Sequence, residues 1–341
     1  MSVLEVRDLT VVFRQRSGEL LTAVNNLSFG IKAGETLALV GESGSGKSTV
    51  VRTLARLQRA AAGEILLDGL PTGRRGRELR AYRKRVQVIF QDPFASLNPM
   101  HTVRHHLARP ILALHSGTPR GGLDDEIHRL LRSVNLTPPE EVARKYPHEL
   151  SGGQRQRVAI ARALASGPGI LLADEPVSML DVSIRLEILN LLDRLMRERS
   201  LGLLYVTHDL ATARHFASEI MVMYRGSVVE RGPSDEVILR PSHPYTQLLA
   251  DAAPEPARPR AELAAARRAR LAVREVARTQ VSAAESREVA VAGEACVFLA
   301  RCPHAMAACH RRPPDVAVGT GRRVLCWLRA ETPAGQQEKA G

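Results

Sequence analysis

Residues 41–48 combine glycines, a lysine and hydroxyl side chains in the order Gly-Glu-Ser-Gly-Ser-Gly-Lys-Ser, which fits the pattern G-x-x-x-x-G-K-[ST]. Glycines let the backbone curl so that successive N–H groups point at an anion, and a helix start adds the positive end of its dipole. The pattern predicts a phosphate-binding loop in which Lys47 reaches the β- and γ-phosphates and Ser48 ligates Mg²⁺. The alternative is a chance glycine-rich turn, which the flanking strand and helix patterns disfavour. The candidate nucleotide-binding residues are Gly41, Ser43, Gly44, Ser45, Gly46, Lys47, Ser48 and Thr49.

Two acidic residues, Asp174 and Glu175, follow the apolar run 170–173. A carboxylate at the C-terminal end of a parallel strand lies where ligands bind in open α/β sheets, so Asp174 is expected to hold Mg²⁺. Glu175 is placed to orient and deprotonate an attacking water. Two acids after a strand are otherwise simply the start of a loop, but a phosphate-binding loop in the same chain favours the catalytic interpretation.

A second candidate anion site is the segment Leu-Ser-Gly-Gly-Gln at residues 150–154. Ser151 suits a helix N-cap, and Gly152 and Gly153 would let another molecule approach the N–H groups at the helix start. An ordinary capped helix is the alternative. The candidate binding residues here are Ser151, Gly152, Gly153 and Gln154.

All the cysteines of the chain lie near its end, at Cys296, Cys302, Cys309 and Cys326. Four thiolates would meet the need of a [4Fe-4S] cluster. Zinc is the competitor: His304 and His310 could serve as ligands, although the usual C-x2–4-C knuckle is missing. Plain reduced thiols are the third interpretation, whereas disulfides are not expected in a cytosolic chain.

The elements that position these motifs alternate between strand and helix after residue 36, which predicts a mostly parallel sheet covered on both faces. Strands are predicted at 3–6, 10–13, 36–40 and 170–173, and helices at 47–57 and 184–199. The division predicted for the chain is an α/β core of residues 1–95 and 160–253, a helical subdomain at 96–159, an Ala/Arg-rich linker at 254–290 and a cysteine-containing tail at 291–341.

Composition and charge exclude several classes of protein. The chain has 341 residues, of which 44% are hydrophobic and 25% charged, as in ordinary globular proteins. Its net charge of +12 raises the question of nucleic acid, but +7 of it belongs to residues 256–341 and aromatic residues make up only 4%. No apolar run approaches the ~20 residues of a membrane span, and the N-terminus lacks a secretory signal pattern, so a cytosolic location is expected.

The chemistry-bearing motifs occur in one order: the phosphate loop, Gln91, Leu-Ser-Gly-Gly-Gln, Asp174-Glu175 and His208. In that order, over residues 1 to about 253, the sequence resembles the ATP-binding-cassette (ABC) ATPases. The resemblance implies an α/β P-loop NTPase fold with a RecA-like parallel-sheet core, an antiparallel β subdomain and a helical subdomain. It also implies hydrolysis of ATP, with Mg²⁺, to ADP and phosphate.

The resemblance implies a role for each motif. Phe13 would stack on adenine, Gln91 would contact Mg²⁺ and the attacking water, and His208 would contact the γ-phosphate. Two such domains pair head to tail, so that ATP lies between the phosphate loop of one chain and the 151–154 segment of the other, with residues 178–181 touching the partner subunit. The implied catalytic set is Glu175, His208 and Gln91, and the implied magnesium ligands are Ser48, Gln91 and Asp174.

Three further stretches of sequence indicate a particular group within the ABC ATPases. They are residues 90–99, residues 242–249 and the tail motif Cys-x-Phe-x-x-Arg-Cys-Pro at 296–303. They resemble the ATPase subunits of dipeptide and oligopeptide importers, and in particular the second of the two ATPases that such systems carry. The implied partners are a second ABC ATPase subunit, two transmembrane permease subunits and an extracytoplasmic solute-binding protein, with this chain at the cytoplasmic face of the membrane. The resemblance also implies a [4Fe-4S] cluster in the tail.

Two alternatives stay open at this point. A soluble ABC ATPase that acts on nucleic acid or ribosomes is favoured only by the basic charge, and such proteins typically have two cassettes or a long coiled-coil insertion. A non-hydrolysing regulatory subunit would keep the fold, but the presence of Glu175, His208 and Gln91 disfavours it. The sequence leaves open whether the solute is a peptide, nickel or an oligosaccharide, and whether the dimer is homomeric or heteromeric.

Overall fold

The computed structural model describes residues 3–114, 122–252 and 295–330. They belong to two compact units. The first unit comprises residues 1–9, 28–37 and 48–207, and the second comprises residues 10–27, 38–47 and those after 207. The predicted linker at 254–290 lies outside the described residues, as do residues 291–294 and 331–341 of the predicted tail.

Strands and helices alternate through most of the chain. The strands are β1 (Val3–Arg14), β2 (Leu20–Lys32), β3 (Thr36–Val40), β4 (Ala62–Leu67), β5 (Leu70–Pro71), β6 (Val86–Ile89), β7 (Ile170–Asp174), β8 (Gly202–Thr207), β9 (Glu219–Tyr224), β10 (Ser227–Pro233), β11 (Asp315–Ala317) and β12 (Arg323–Leu325). The α-helices are α1 (Lys47–Leu54), α2 (Gly76–Arg85), α3 (Pro93–Ser96), α4 (Val103–Leu114), α5 (Leu123–Ser133), α6 (Pro139–Arg144), α7 (Gly152–Leu164), α8 (Val182–Arg199), α9 (Leu210–Phe216), α10 (Ser234–Leu239), α11 (Pro244–Ala252) and α12 (Trp327–Ala330).

The first unit contains the predicted parallel strands. β7 lies between β6 and β8, with Val86 opposite Ile170 and Ile170 opposite Gly202. All five residues of β7 are buried, which explains why its first four residues, 170–173, form a continuous apolar run rather than an alternating one. Asp174 is the last residue of β7, so the two acids stand at the C-terminal end of the sheet as the sequence predicted.

A four-stranded sheet with the order β2-β1-β4-β5 contains the first strands of the chain, and its β4–β5 pair is antiparallel. β1 is one strand of 12 residues, not the two separate strands that the sequence predicted. The predicted break coincides with Asp8, which adopts a positive φ of 50° while its N–H donates to Ser28 Oγ over 2.8 Å. That hydrogen bond holds the left-handed residue in place, so the strand continues through it.

Helices dominate the first unit between residues 93 and 164. α5 buries Leu123, Ile127, Leu130 and Leu131, and three acidic residues occupy its first turn. Acidic side chains there favour the helix because they face the positive end of its dipole. α7 carries the Leu-Ser-Gly-Gly-Gln segment at its start, so the predicted inserted helical region is present.

In the second unit, β10 lies between β9 and β12, and β12 pairs in turn with β11, all antiparallel.

A buried carboxylate on β10 connects the cysteine-containing residues to this sheet. Glu230 accepts hydrogen bonds from the N–H groups of Ser242 and His243, both at 2.9 Å, and from Arg322, also at 2.9 Å. Its side chain is fully buried, so each bond offsets part of the cost of burying the charge. The segment 295–330 is therefore an integral part of the second unit.

Candidate nucleotide-binding site

The predicted phosphate loop connects β3 to α1, as the pattern requires. Gly44 and Gly46 adopt positive φ values of 79° and 109°, which favour glycine. A Cβ at Gly46 would lie 2.2 Å from the carbonyl oxygen of Ala23, and one at Gly41 would lie 2.1 Å from that of Met223. Glycine is thus required at Gly41 and Gly46 because neighbouring backbone packs directly against the loop.

Lys47 lies across this loop and is almost fully buried. Its ammonium group donates to the carbonyl oxygens of Gly41 at 2.7 Å and Glu42 at 2.9 Å. The loop is stabilised in turn by the N–H of Gly226, which donates to the carbonyl of Ser45 over 2.8 Å. The ammonium group is therefore held at the concave loop where an anion would bind.

In the first unit, Ser48 and Asp174 come together although 126 residues separate them. Ser48 Oγ donates to Asp174 Oδ1 over 3.1 Å. Mg²⁺ prefers oxygen ligands and is usually bound by one or two side chains together with substrate phosphates. A hydroxyl and a carboxylate side by side at the end of a buried strand fit that requirement.

Glu175 occupies a sharp turn directly after β7. Its φ is 46°, an uncommon value for a residue with a side chain, and its N–H donates to the carbonyl of Val206 over 2.9 Å. The Gln91 side-chain amide donates to Glu175 Oε2 at 3.1 Å and, at 3.4 Å, to Ser178 Oγ. The structure thus brings together the two residues of the predicted catalytic set that lie in the first unit. The contact with Ser178 was not predicted, since the sequence placed this residue only in a partner-facing loop.

The 150–154 segment forms the predicted N-cap. Ser151 Oγ accepts from the N–H of Gln154 at 3.2 Å, and Gln154 Oε1 accepts from the N–H of Ser151 at 3.1 Å, which completes a capping box. A Cβ at Gly153 would lie 2.8 Å from Ile184 Cγ2, whereas at Gly152 the nearest atom is Leu180 Cδ2 at 3.7 Å. Close packing against α8 therefore requires glycine at Gly153, a structural reason that the sequence did not indicate.

Phe13 and His208 belong to the second unit. Phe13 lies near the end of β1 with 36% of its surface exposed, so it is not part of the apolar core. His208 follows β8 directly and is exposed. The next residue, Asp209, caps α9 by accepting from the N–H groups of Ala211 and Thr212.

The four cysteines are buried, free thiols. Burial, with a smaller contribution from neighbouring thiols, raises the pKa of Cys296 to about 11 and that of Cys302 to about 12. Within the described residues, no group of three or more His, Cys, Asp or Glu side chains is arranged to hold a metal ion. The structure therefore does not support the predicted [4Fe-4S] cluster or its zinc alternative.

A phosphate loop before a helix, an acid pair at the end of a buried parallel strand, and a capped Leu-Ser-Gly-Gly-Gln helix define an ABC-type ATPase cassette. Solved structures of such cassettes are similar to this chain. The dimeric MJ0796, a bacterial ABC transporter cassette, has 31% identity and a TM-score of 0.61, over 68% of this chain and 98% of that one. CbiO1 from Clostridium perfringens has 28% identity and a TM-score of 0.61, over 70% and 90%.

Sequence comparisons identify the family within the ABC cassettes to which the chain belongs. Residues 24–178 match the family described as ABC transporter, and residues 229–309 match the oligopeptide/dipeptide transporter C-terminal region. The probable peptide ABC transporter ATP-binding protein y4tS of Sinorhizobium fredii is 40% identical over 98% of this chain and 92% of its own length. The oligopeptide transport ATP-binding protein AppF of Bacillus subtilis is 39% identical over 92% and 93%. The chain belongs to the oligopeptide/dipeptide family of ABC transporter ATP-binding proteins, as the motifs predicted.

Among the described residues, no helix has both the length and the apolar character needed to cross a membrane.

Proposed function

We propose that this chain hydrolyses ATP to power the import of di- or oligopeptides through an ABC permease. Two contacts at the end of β7 carry the proposal: Ser48 contacts Asp174, and Gln91 contacts the next residue, Glu175. The candidate magnesium ligands and the candidate base therefore lie side by side. The relatives named above are described as transport ATP-binding proteins, which supports import over the nucleic-acid alternative.

In this proposal the loop from Gly41 to Thr49 binds the phosphates of ATP, and Phe13 stacks on its adenine. Ser48, Asp174 and the amide oxygen of Gln91 would hold Mg²⁺, which supplies positive charge to the β- and γ-phosphate oxygens. Lys47 contributes a further positive charge at the same oxygens. His208, which directly follows β8, would contact the γ-phosphate.

Water would attack the γ-phosphorus in line with the departing ADP, and Glu175 would orient it and accept its proton. Gln91 supports this role because its side-chain N–H group already donates to the Glu175 carboxylate. The bond holds the carboxylate through its Oε2 atom, at 3.1 Å. Catalysis in this scheme is positioning plus electrostatic stabilisation of the transferred phosphoryl group.

The proposed active unit is a head-to-tail dimer with a second ABC ATPase subunit, in which Ser151–Gln154 of one chain completes the ATP site of the other. The capped start of α7 supports this because its capping box forms within the chain, and a Cβ at Gly152 would meet only Leu180 Cδ2, at 3.7 Å. The related cassette MJ0796 is described as dimeric. A heterodimer is the arrangement we propose.

For the division of the chain, we propose residues 1–95 and 160–253 as the nucleotide-binding core and residues 96–159 as a helical subdomain, with 254–290 as linker and 291–341 as tail. The helices from α4 to α6 support the second assignment. The helical subdomain would contact the two permease subunits at the cytoplasmic face of the membrane, and an extracytoplasmic binding protein would deliver the solute.

The proposed peptide substrate is tested by measuring solute uptake in cells that lack this chain. We expect loss of uptake of a labelled tripeptide, restored by the wild-type chain and not by Glu175→Gln. Glu198→Gln is the control, because Glu198 lies exposed on α8 with only a 4.0 Å ion pair to Arg194. Uptake of nickel or of an oligosaccharide that depends on the chain, with peptide uptake unchanged, would overturn the peptide assignment and leave the ATPase assignment standing.

The [4Fe-4S] cluster remains a separate proposal, supported by the number, spacing and shared burial of the four cysteines. Iron, acid-labile sulfide and zinc measured on anaerobically purified full-length chain test it. About four iron and four sulfide per chain are expected, and Cys302→Ser should lower both. One zinc per chain, or no metal with four titratable thiols after unfolding, would contradict the cluster.

A further inference from the structure

One residue of the cysteine-containing segment contacts the phosphate loop. Arg301 donates from Nη1 to Glu42 Oε2 at 2.7 Å and from Nη2 to Glu42 Oε1 at 2.9 Å, although 259 residues separate the two. A guanidinium that meets a carboxylate through two parallel bonds forms the strongest kind of charged hydrogen-bond pair. Both side chains are about one-third exposed, so solvent screens the pair only partly.

Glu42 is held at its backbone as well. Its N–H donates to Tyr245 Oη over 2.9 Å, and its carbonyl oxygen accepts from the Lys47 ammonium over 2.9 Å. Glu42 therefore lies between Arg301 and the lysine that the phosphate loop offers to a nucleotide. A shift of the Glu42 backbone would therefore move one of the two carbonyl oxygens to which Lys47 donates.

Arg301 is itself fixed by aromatic rings. Its guanidinium carbon lies 5.6 Å from the ring centre of Tyr224 and 5.8 Å from that of Phe298. Phe298 is fully buried and packs edge-on against Tyr224, with ring centres 5.2 Å apart. Because these rings are packed in the core of the second unit, Arg301 has one well-defined orientation towards the loop.

The charges explain what this contact does. A carboxylate in a phosphate-binding loop repels an incoming polyphosphate and attracts the lysine that should bind it. Arg301 holds the pKa of Glu42 below its usual range, mainly through the hydrogen bonds between them, and Arg225 and then Lys47 add smaller effects in the same direction. Glu42 is thus charged, and Arg301 is the cation that neutralises it while Lys47 stays directed at the loop.

We infer that Arg301 is a positioning residue for nucleotide binding. It fixes Glu42 and neutralises its charge, so that the Lys47 ammonium group pairs with the phosphates of a nucleoside triphosphate and not with the Glu42 carboxylate. The inference rests on the proposed role of residues 41–49 in binding ATP. Through Arg301, the segment around the cysteines would help to position the ATP-binding loop. Neither the phosphate-loop motif nor the tail motif indicates this role by itself.

Binding of MgATP to the full-length chain tests this, with the dissociation constant measured by titration calorimetry. Arg301→Ala is expected to weaken binding about 10-fold, because it leaves a charged carboxylate unpaired beside Lys47. Glu42→Gln is expected to stay within about twofold of wild type. The double variant should return to within about threefold, since removing the carboxylate removes the need for the arginine.

A structural role predicts a different pattern. If Arg301 only anchors the tail, the double variant binds as weakly as Arg301→Ala, and that result would overturn the inference. Arg301→Ala binding equal to wild type would also overturn it. Arg323→Ala is the matched control, because Arg323 pairs with Asp315 in the same segment and does not contact the loop. The melting temperature of each variant is recorded alongside.

A further pair keeps the test decisive if Arg301→Ala does not fold. Arg301→Lys retains the charge and should bind MgATP at least threefold more tightly than Arg301→Gln; equal binding by the two contradicts the inference. Failure of the proposed function gives a separate result, because wild type and Lys47→Ala would then bind MgATP equally, whatever the Arg301 variants do.

Discussion

Replacing Glu175 with glutamine should lower ATP turnover by about 1000-fold while MgATP binding stays within about twofold of wild type. The reason lies in the proposed chemistry: the carboxylate is the base that takes the proton of the attacking water, and an amide cannot. The new side chain keeps the same volume, and its oxygen can still accept the bond from Gln91, so the turn after β7 is preserved. Phosphate release under saturating MgATP, measured on the assembled dimer, gives the turnover.

Two measurements distinguish loss of chemistry from loss of the site. The Glu175→Gln variant should accumulate an ATP-bound dimer, visible by size-exclusion chromatography, because binding is intact and hydrolysis no longer separates the subunits. The control Glu198→Gln makes the same change at an exposed side chain of α8 and should hydrolyse ATP at the wild-type rate. Turnover of Glu175→Gln within tenfold of wild type would refute the role of this residue.

The parts of the site that were predictable from sequence are those that a short segment builds by itself. Residues 41–48 carry their own turn chemistry, and residues 170–173 are apolar because both faces of β7 are covered. Ser151 and Gln154 cap each other within a single helix turn. In each case, the residues that determine the local structure are close neighbours in sequence, so the local pattern predicts that structure.

The remaining contacts join residues that are distant in sequence. Arg301 meets Glu42, Arg322 meets Glu230, and neither pair has a spacing that a pattern search would detect. The packing of Gly153 on Ile184 requires knowing how α7 crosses α8. Such pairs are decided by tertiary packing, and a single sequence carries no signal for them beyond the presence of the residues.

Both long-range arginine contacts have the same consequence for the C-terminal segment. The Glu230–Arg322 pair is almost fully buried, so removal of Arg322 would leave the buried Glu230 carboxylate without its cation. The Glu42–Arg301 pair lies at the phosphate loop. The segment is thus anchored to the second unit by one contact and acts on its nucleotide loop through the other.

Replacing Lys47 with alanine should raise the dissociation constant of MgATP by about 100-fold, the largest binding effect we expect from a single substitution. A charge-assisted hydrogen bond to phosphate contributes about 1.5–3 kcal/mol, and Lys47 would make more than one. The change also removes the donor for the carbonyl oxygens of Gly41 and Glu42, so the loop loses internal hydrogen bonds in addition to the phosphate contact.

The control for this prediction is Lys32→Ala, because Lys32 is an exposed lysine in the same chain with a single ion pair to Glu35 at 3.5 Å. It should bind MgATP like wild type, which shows that loss of one positive charge is not sufficient. Lys47→Arg should bind poorly as well, since the buried site accommodates a compact ammonium group and a planar guanidinium is larger. Binding by Lys47→Ala within threefold of wild type would mean that residues 41–48 do not hold the phosphates, and the ATP site would have to lie elsewhere in the chain.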